Sequence, residues 1–200
     1  METKIKRDLI ALTLKCLKAS ISKDETRLML TGVYHHPTLG QAVSTDGHRI
    51  TFASIYFDDR LKGLIMGQDF TTVSKSDYVK VDMFSNAQLK TKNSMVFKID
   101  KSHVDTSNKL FKSGQGEDKA FFLNNGTIYK GVEILTGLAD KVLFVLNPYY
   151  LAPLVGYDYI VDYSGHLNPV RFNLGGKDLG LVNEQTYVVM PMKYEATKKE

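Results

Sequence analysis

Val43-Ser44-Thr45-Asp46-Gly47-His48-Arg49-Ile50 is the stretch on which the reading of the chain turns. An Asp-Gly pair between runs rich in Val, Ile, Thr and Phe has the chemistry of a tight turn. Glycine takes positive φ without a Cβ penalty, and the Asp carboxylate bonds its own backbone. The pattern predicts a hairpin of Gln41 to Ser44 and Ile50 to Phe57. His48 and Arg49 leave the turn as large polar side chains and are expected on the surface. Taken alone, such a turn is most simply a solvated hairpin.

Upstream, Lys4 to Ala19 has helical periodicity, with Ile5, Leu9, Leu12 and Cys16 on one apolar stripe that Leu14 and Leu17 widen. On the other side Lys4, Arg7, Ala11, Lys15 and Lys18 follow at spacings of three or four, which sets four cations in one row with no acid among them. Such a row is either a solvated face or a face for phosphates. Thr26 to His36 alternates and is expected to be a strand. His35 and His36 are neighbours in that strand and point to opposite faces, and no carboxylate or Cys stands at helpful spacing, so no metal site is expected.

Downstream, Asp58 to Gly67 reads as a short helix or a long connection, and Phe70 to Val73, Tyr78 to Phe84 and Met95 to Ile99 as strands. The polar run Ser85 to Asn93 is the preferred linker, dividing the chain into 1–93 and 94–200, with a division near 138 as the alternative. Asp100 is a fair N-cap for a helix from Lys101 to Ser113, on which Lys101 and Lys112 share a side. Asn124-Asn125-Gly126 joins strands Ala120 to Leu123 and Thr127 to Ile134. Val142 to Leu146 is a strand, and Asn147-Pro148 starts a short helix that Pro153 limits. Tyr159 to Tyr163, Val170 to Leu174, Leu179 to Val182 and Tyr187 to Met192 complete the strands. Few helices, each placed before several strands, predict an α+β chain with helices on one side of antiparallel sheets.

Two hundred residues, 43% hydrophobic and 24% charged, are enough for one large domain or two of about a hundred. No apolar run approaches the roughly 18 residues that span a bilayer, and no signal peptide is visible. The lone Cys16 excludes an internal disulfide and a cysteine-built zinc site. These features fit a reducing cytoplasm. A net charge of +4 is only mildly basic, so any contact with nucleic acid depends on where the cations sit. The five His are scattered, and no phosphate loop, Gly-x-Ser-x-Gly or Cys-His set occurs, so the chain is not expected to be an enzyme and no cofactor is expected.

Ser44-Thr45-Asp46-Gly47-His48-Arg49-Ile50 closely resembles the Ala-Thr-Asp-Gly-His-Arg-Leu segment of bacterial replicative sliding clamps, the β subunit of DNA polymerase III. Tyr187-Val188-Val189-Met190-Pro191-Met192-Lys193 resembles the Tyr-Val-Val-Met-Pro-Met-Arg end of the same family, and Thr26 to Val33 looks like a strand of its middle domain. The resemblance implies the DNA-clamp fold, built of repeated β-α-β-β-β units, with helices facing the hole of a six-domain ring. A two-domain chain would then assemble as a trimer, as in phage.

By the same resemblance the chain would surround double-stranded DNA without regard to sequence and tether a polymerase. Lys4, Arg7, Lys15 and Lys18, then Lys101 and Lys112, would face the DNA. Short client peptides would enter a groove with Thr45, Gly47, His48, Arg49 and Ile50 on one wall and Val188, Val189, Met190, Pro191 and Met192 on the other. An ATP-driven clamp loader is implied as a further partner. Two departures from the family pattern stand out: Tyr194 to Glu200 continue past the basic residue Lys193, and no Phe-Pro-Asp-Tyr-like linker is found. The alternatives are a clamp-like module that captures replication peptides without closing a ring, and a generic nucleic-acid-binding domain.

Overall fold

Helical spacing at the start of the chain produces α1 (Glu2–Ala19) in the computed structural model, which describes residues 2–36, 41–54, 93–105, 118–135, 137–175 and 185–194. Leu9, Leu12, Cys16 and Leu17 are buried, whereas Ala11, Lys15 and Lys18 are exposed, so the two stripes separate as the periodicity requires. The expected strand from Thr26 does not form. Asp24 Oδ1 accepts from the Thr26 amide at 3.0 Å and from its hydroxyl at 2.6 Å, and the Ser22 amide donates to Leu30 O at 2.9 Å. These local bonds coil Glu25–Leu30 into 3-10 turns and leave a short strand, β1 (Tyr34–His36).

The other strands among the described residues, all antiparallel to their neighbours, are β2 (Gln41–Thr45), β3 (Arg49–Ser54), β4 (Asn93–Lys98), β5 (Lys119–Leu123), β6 (Ile128–Gly131), β7 (Val142–Leu146), β8 (Asp158–Tyr163), β9 (Val170–Asn173) and β10 (Gln185–Val189). Seven form one sheet in the order β1-β2-β3-β10-β9-β8-β4, and three form a second, β6-β5-β7. The larger sheet draws strands from both sides of position 93. Asp100 does cap a turn, accepting from the Ser102 amide at 2.9 Å, but only Lys101–His103 are helical, as a 3-10 turn, and Val104 is already extended. The helix expected from Lys101 is therefore interrupted at Val104, and residues 106–113 lie outside the described residues. Asn147 caps Pro148–Leu154 as expected, again in 3-10 form. The segments expected at 58–67, 70–73, 78–84 and 179–182, and nearly all of the linker at 85–93, lie outside the described residues.

One core joins the layers: Leu9, Leu12 and Cys16 of α1 meet Phe97 and Tyr159 of the large sheet and Phe122 and Phe144 of the small one. Across the β2–β3 hairpin, Ala42 and Ala53 face Ile10 and Leu17 of α1, while Val43 and Phe52 pack with Tyr34 and Val188 on the other face. The period of two along each strand decides this division. No helix among the described residues is long and apolar enough to cross a membrane.

Burial gives the core an alkaline limit. Desolvation pushes the Cys16 thiol from an ordinary 9.0 up to about 12, and burial also raises Tyr159 and Tyr187. The unfolded chain releases these protons first, so their contribution is intact below pH 9 and is lost as pH rises toward 12. Urea unfolding midpoints are expected to agree at pH 7.5 and pH 8.5 and to fall markedly by pH 10.5, and Cys16→Ala should make that fall shallower. An unchanged midpoint at the highest pH would contradict the buried state of these groups.

Candidate functional site

The Asp46–Arg49 turn is closed by the Asp46 amide donating to Arg49 O at 3.4 Å and is held largely by side chains of its own stretch. Asp46 Oδ1 accepts from the amides of His48 at 2.9 Å and Arg49 at 3.0 Å. The Thr45 hydroxyl donates to Arg49 O at 2.7 Å and accepts from the Gly47 amide at 3.0 Å. Gly47 has φ +92°, a conformation that calls for glycine, and a Cβ there would also press on the movable Arg27 guanidinium, with Nη2 at 3.0 Å. The Arg27 guanidinium lies over the turn and donates to Asp46 O at 3.4 Å.

The expectation that Arg49 stands on the surface does not hold. Its residue is 6% exposed, with Nε donating to Asp46 Oδ2 at 2.9 Å and Nη1 to the Tyr187 hydroxyl at 3.3 Å. Its Cζ lies 5.1 Å and 4.9 Å from the ring centroids of Tyr149 and Tyr150, within cation–π range. Burial works against the guanidinium charge, but Tyr187 and Asp46 outweigh it and raise the Arg49 pKa. The Tyr187 hydroxyl in turn donates to Tyr150 O at 2.8 Å. Burial, helped by the Asp46 charge, pushes the Tyr150 phenol up to about 12, so it stays neutral. His48 remains exposed, with its ring stacked toward Tyr150 at 6.1 Å and 17°.

β10 and Met190 come to this turn through the large sheet. β10 pairs with β3 so that Val188 faces Ile50 and Val189 faces Arg49. The pairing carries one step further, from the Met190 amide to His48 O at 2.9 Å. The strand expected to run to Met192 ends at Val189. Met192 instead donates its amide to Val145 O of β7 at 2.9 Å, and Tyr194 donates its hydroxyl to Ala139 O at 3.1 Å, so 190–194 crosses from one sheet to the other. Pro191 has no amide hydrogen to continue the ladder.

The sequence-predicted groove residues are thus brought together in two layers. Gly47, His48 and Met190 are exposed, and Ile50, Pro191 and Met192 are half-buried. Thr45, Arg49, Val188 and Val189 are buried behind them. Arg27, Tyr149, Tyr150 and Tyr187 also belong to the constellation and were missed. The Asn147-Pro148 cap signalled a turn carrying the two tyrosines, but no local pattern shows that Arg49 bonds Tyr187, 138 positions away. Of the candidate DNA-facing cations, Lys15 and Lys18 stand exposed on α1 and Lys101 on its 3-10 turn. The side chains of Lys4 and Arg7, and all of Lys112, lie outside the described residues. Among the described residues no group of three or more His, Cys, Asp and Glu is placed to hold a metal ion.

No protein-family model matches the chain, and no curated protein matches it in sequence. Solved structures do. The sliding clamp of Bacillus subtilis DNA polymerase superposes with a TM-score of 0.58 at 14% identity, over 94% of this chain and 63% of that one. The β subunit of Streptococcus pyogenes DNA polymerase gives 0.57 at 15%, over 94% and 64%. The Helicobacter pylori β clamp, solved with a DNA ligase peptide bound, gives 0.52 at 11%, over 93% and 63%. The chain therefore spans less than two thirds of the length of these clamps, and at such identities the likeness is one of fold.

Proposed function

We propose that this chain, which has the sliding-clamp fold, is a processivity clamp that encloses duplex DNA and tethers a polymerase and other clients by short peptides. The observation that carries this reading is a juxtaposition. Two stretches picked out separately in the sequence, Thr45 to Ile50 and Val188 to Met192, meet through β3 and β10 and the bond from Met190 to His48 O. An exposed imidazole beside Tyr150, next to the flexible thioether of Met190, suits a groove for apolar peptides with a polar anchor. The buried Arg49 acts behind that groove, holding the turn to Tyr187. Lys15 and Lys18 offer charge to phosphates without reading bases, which permits sliding. No step of this function is covalent.

In this reading the two halves, 1–93 and 94–200, are clamp-like units joined at the β3–β10 seam, three chains supply the six units of a ring, and an ATP-driven loader opens it. Light scattering at several concentrations should then give three times the 22.5 kDa chain mass. A monomer at all concentrations would favour the peptide-capturing module instead.

A crossed pair of variants tests the two surfaces. Lys15→Glu with Lys18→Glu is expected to weaken retention on circular duplex DNA by about tenfold or more and to leave binding of a fluorescent clamp-binding peptide unchanged. Met190→Asp is expected to do the reverse. If both variants lose both activities, or if linearising the DNA does not release the protein, the clamp reading fails.

A further inference from the structure

A cavity of about 340 Å3 opens on the outer face of the small sheet, and no residue of the Asp46–Arg49 turn lines it. Its floor is apolar: Phe121 of β5, Ile134 and Tyr194. Tyr194 stands edge-on to Phe121 with 5.8 Å between ring centroids, and its hydroxyl bond to Ala139 O fixes it there. Val132, on the wall, is 41% exposed, and the neighbouring Leu135 is 54% exposed, so the apolar surface continues outward. Lys119, Lys193 and Glu133 form the rim. Among the described residues none of these three is in an ion pair, whereas nearby Lys130 is held by Asp118 at 3.3 Å.

We propose that this cleft is a binding site for a partner's peptide in which one aromatic or branched apolar side chain is flanked by carboxylates. The volume is at the low end for small-molecule pockets, about 300 to 1,000 Å3, and the wall is open to solvent. Such an open cleft admits a side chain presented from a partner's chain, with its flanking residues over the rim. The floor of two rings and an isoleucine selects an apolar group. Two ammonium groups against one carboxylate leave the rim net positive, and a carboxylate on either side of the anchor complements Lys119 and Lys193. Glu133 disfavours a chain with further acids beyond these two. The site does not depend on the clamp reading.

The test is titration of the full-length, 15N-labelled protein with acetyl-Asp-Phe-Asp-amide, and with acetyl-Lys-Phe-Lys-amide as the reversed-charge control. Saturable shifts at the amides of Phe121, Val132 to Ile134 and Tyr194 are expected. The acidic peptide should bind roughly fivefold more tightly, as suits two exposed charge contacts. Lys119→Glu with Lys193→Glu should reverse that order. Equal binding of both peptides, shifts confined to His48 and Met190, or no shifts at all would overturn the proposal. So would binding that appears only after residues 195–200 are deleted, which would make the chain's own tail the occupant. Should the double variant fail to fold, the wild-type preference alone decides.

Discussion

Arg49→Met is expected to lower stability by about 3 kcal/mol, which for a chain of this size is a fall of roughly 10 °C in thermal midpoint. The substitution removes the bonds to Asp46 Oδ2 and the Tyr187 hydroxyl and the stacking on Tyr149 and Tyr150. Asp46 keeps its two amide donors and Tyr187 keeps Tyr150 O, so neither is stripped of partners, and the loss belongs at the lower end for a broken buried pair. Arg49→Lys retains the charge but not the planar fork that serves two acceptors and two rings, and it should fall between the two. Thermal melts followed by circular dichroism decide the matter. A shift under about 2 °C for Arg49→Met would mean that the cluster adds little to the fold.

Phe122→Ala should cost about 3 to 5 kcal/mol. The side chain is fully buried, stacked on Phe144 at 4.6 Å and edge-on to Phe97 at 4.9 Å and Phe172 at 6.1 Å. Phe144 belongs to the small sheet and Phe97 and Phe172 to the large one, so this ring joins the two layers. Truncation removes a whole ring and leaves a cavity between sheets that backbone hydrogen bonds prevent from collapsing. A lower urea midpoint with an unchanged slope is the expected result. A cost below about 1.5 kcal/mol would show that the sheets close over the gap.

What was legible in the sequence was the chemistry that acts between near neighbours. The Asp46-Gly47 and Asn125-Gly126 turns, the Asn147-Pro148 start and the stripe of α1 each follow from residues within a few positions of one another. The exposure of Lys15 and Lys18 follows from the same helical spacing. The coil at Glu25–Leu30 was also local, written in Asp24 and Thr26, but the alternation of apolar residues beyond it masked the signal. Arg49 was beyond reach for a different reason: its polarity predicts exposure, and only Tyr187 and the Tyr149–Tyr150 pair, brought in by distant strands, make burial tolerable. The end of β10 was likewise set from outside, by β7 taking the Met192 amide. The meeting of the two walls of the candidate groove was implied by the family resemblance of both stretches, whereas the residues themselves carry no local signal for the β3–β10 pairing that brings them together.

The place of β10 has a consequence for how the protein is made. It is translated after every other described strand, yet it sits fourth in a row of seven, between β3 and β9. A ribosome that has produced β9 holds a nascent chain whose large sheet is split in two, each part presenting an open edge. Such edges invite pairing with other chains, so synthesis passes through an interval in which the protein depends on chaperones or on speed. Closure then requires β10 to find β3 across more than a hundred residues, a contact of high sequence separation that slows folding. The strand that brings Met190 to the turn is thus also the last keystone of the sheet.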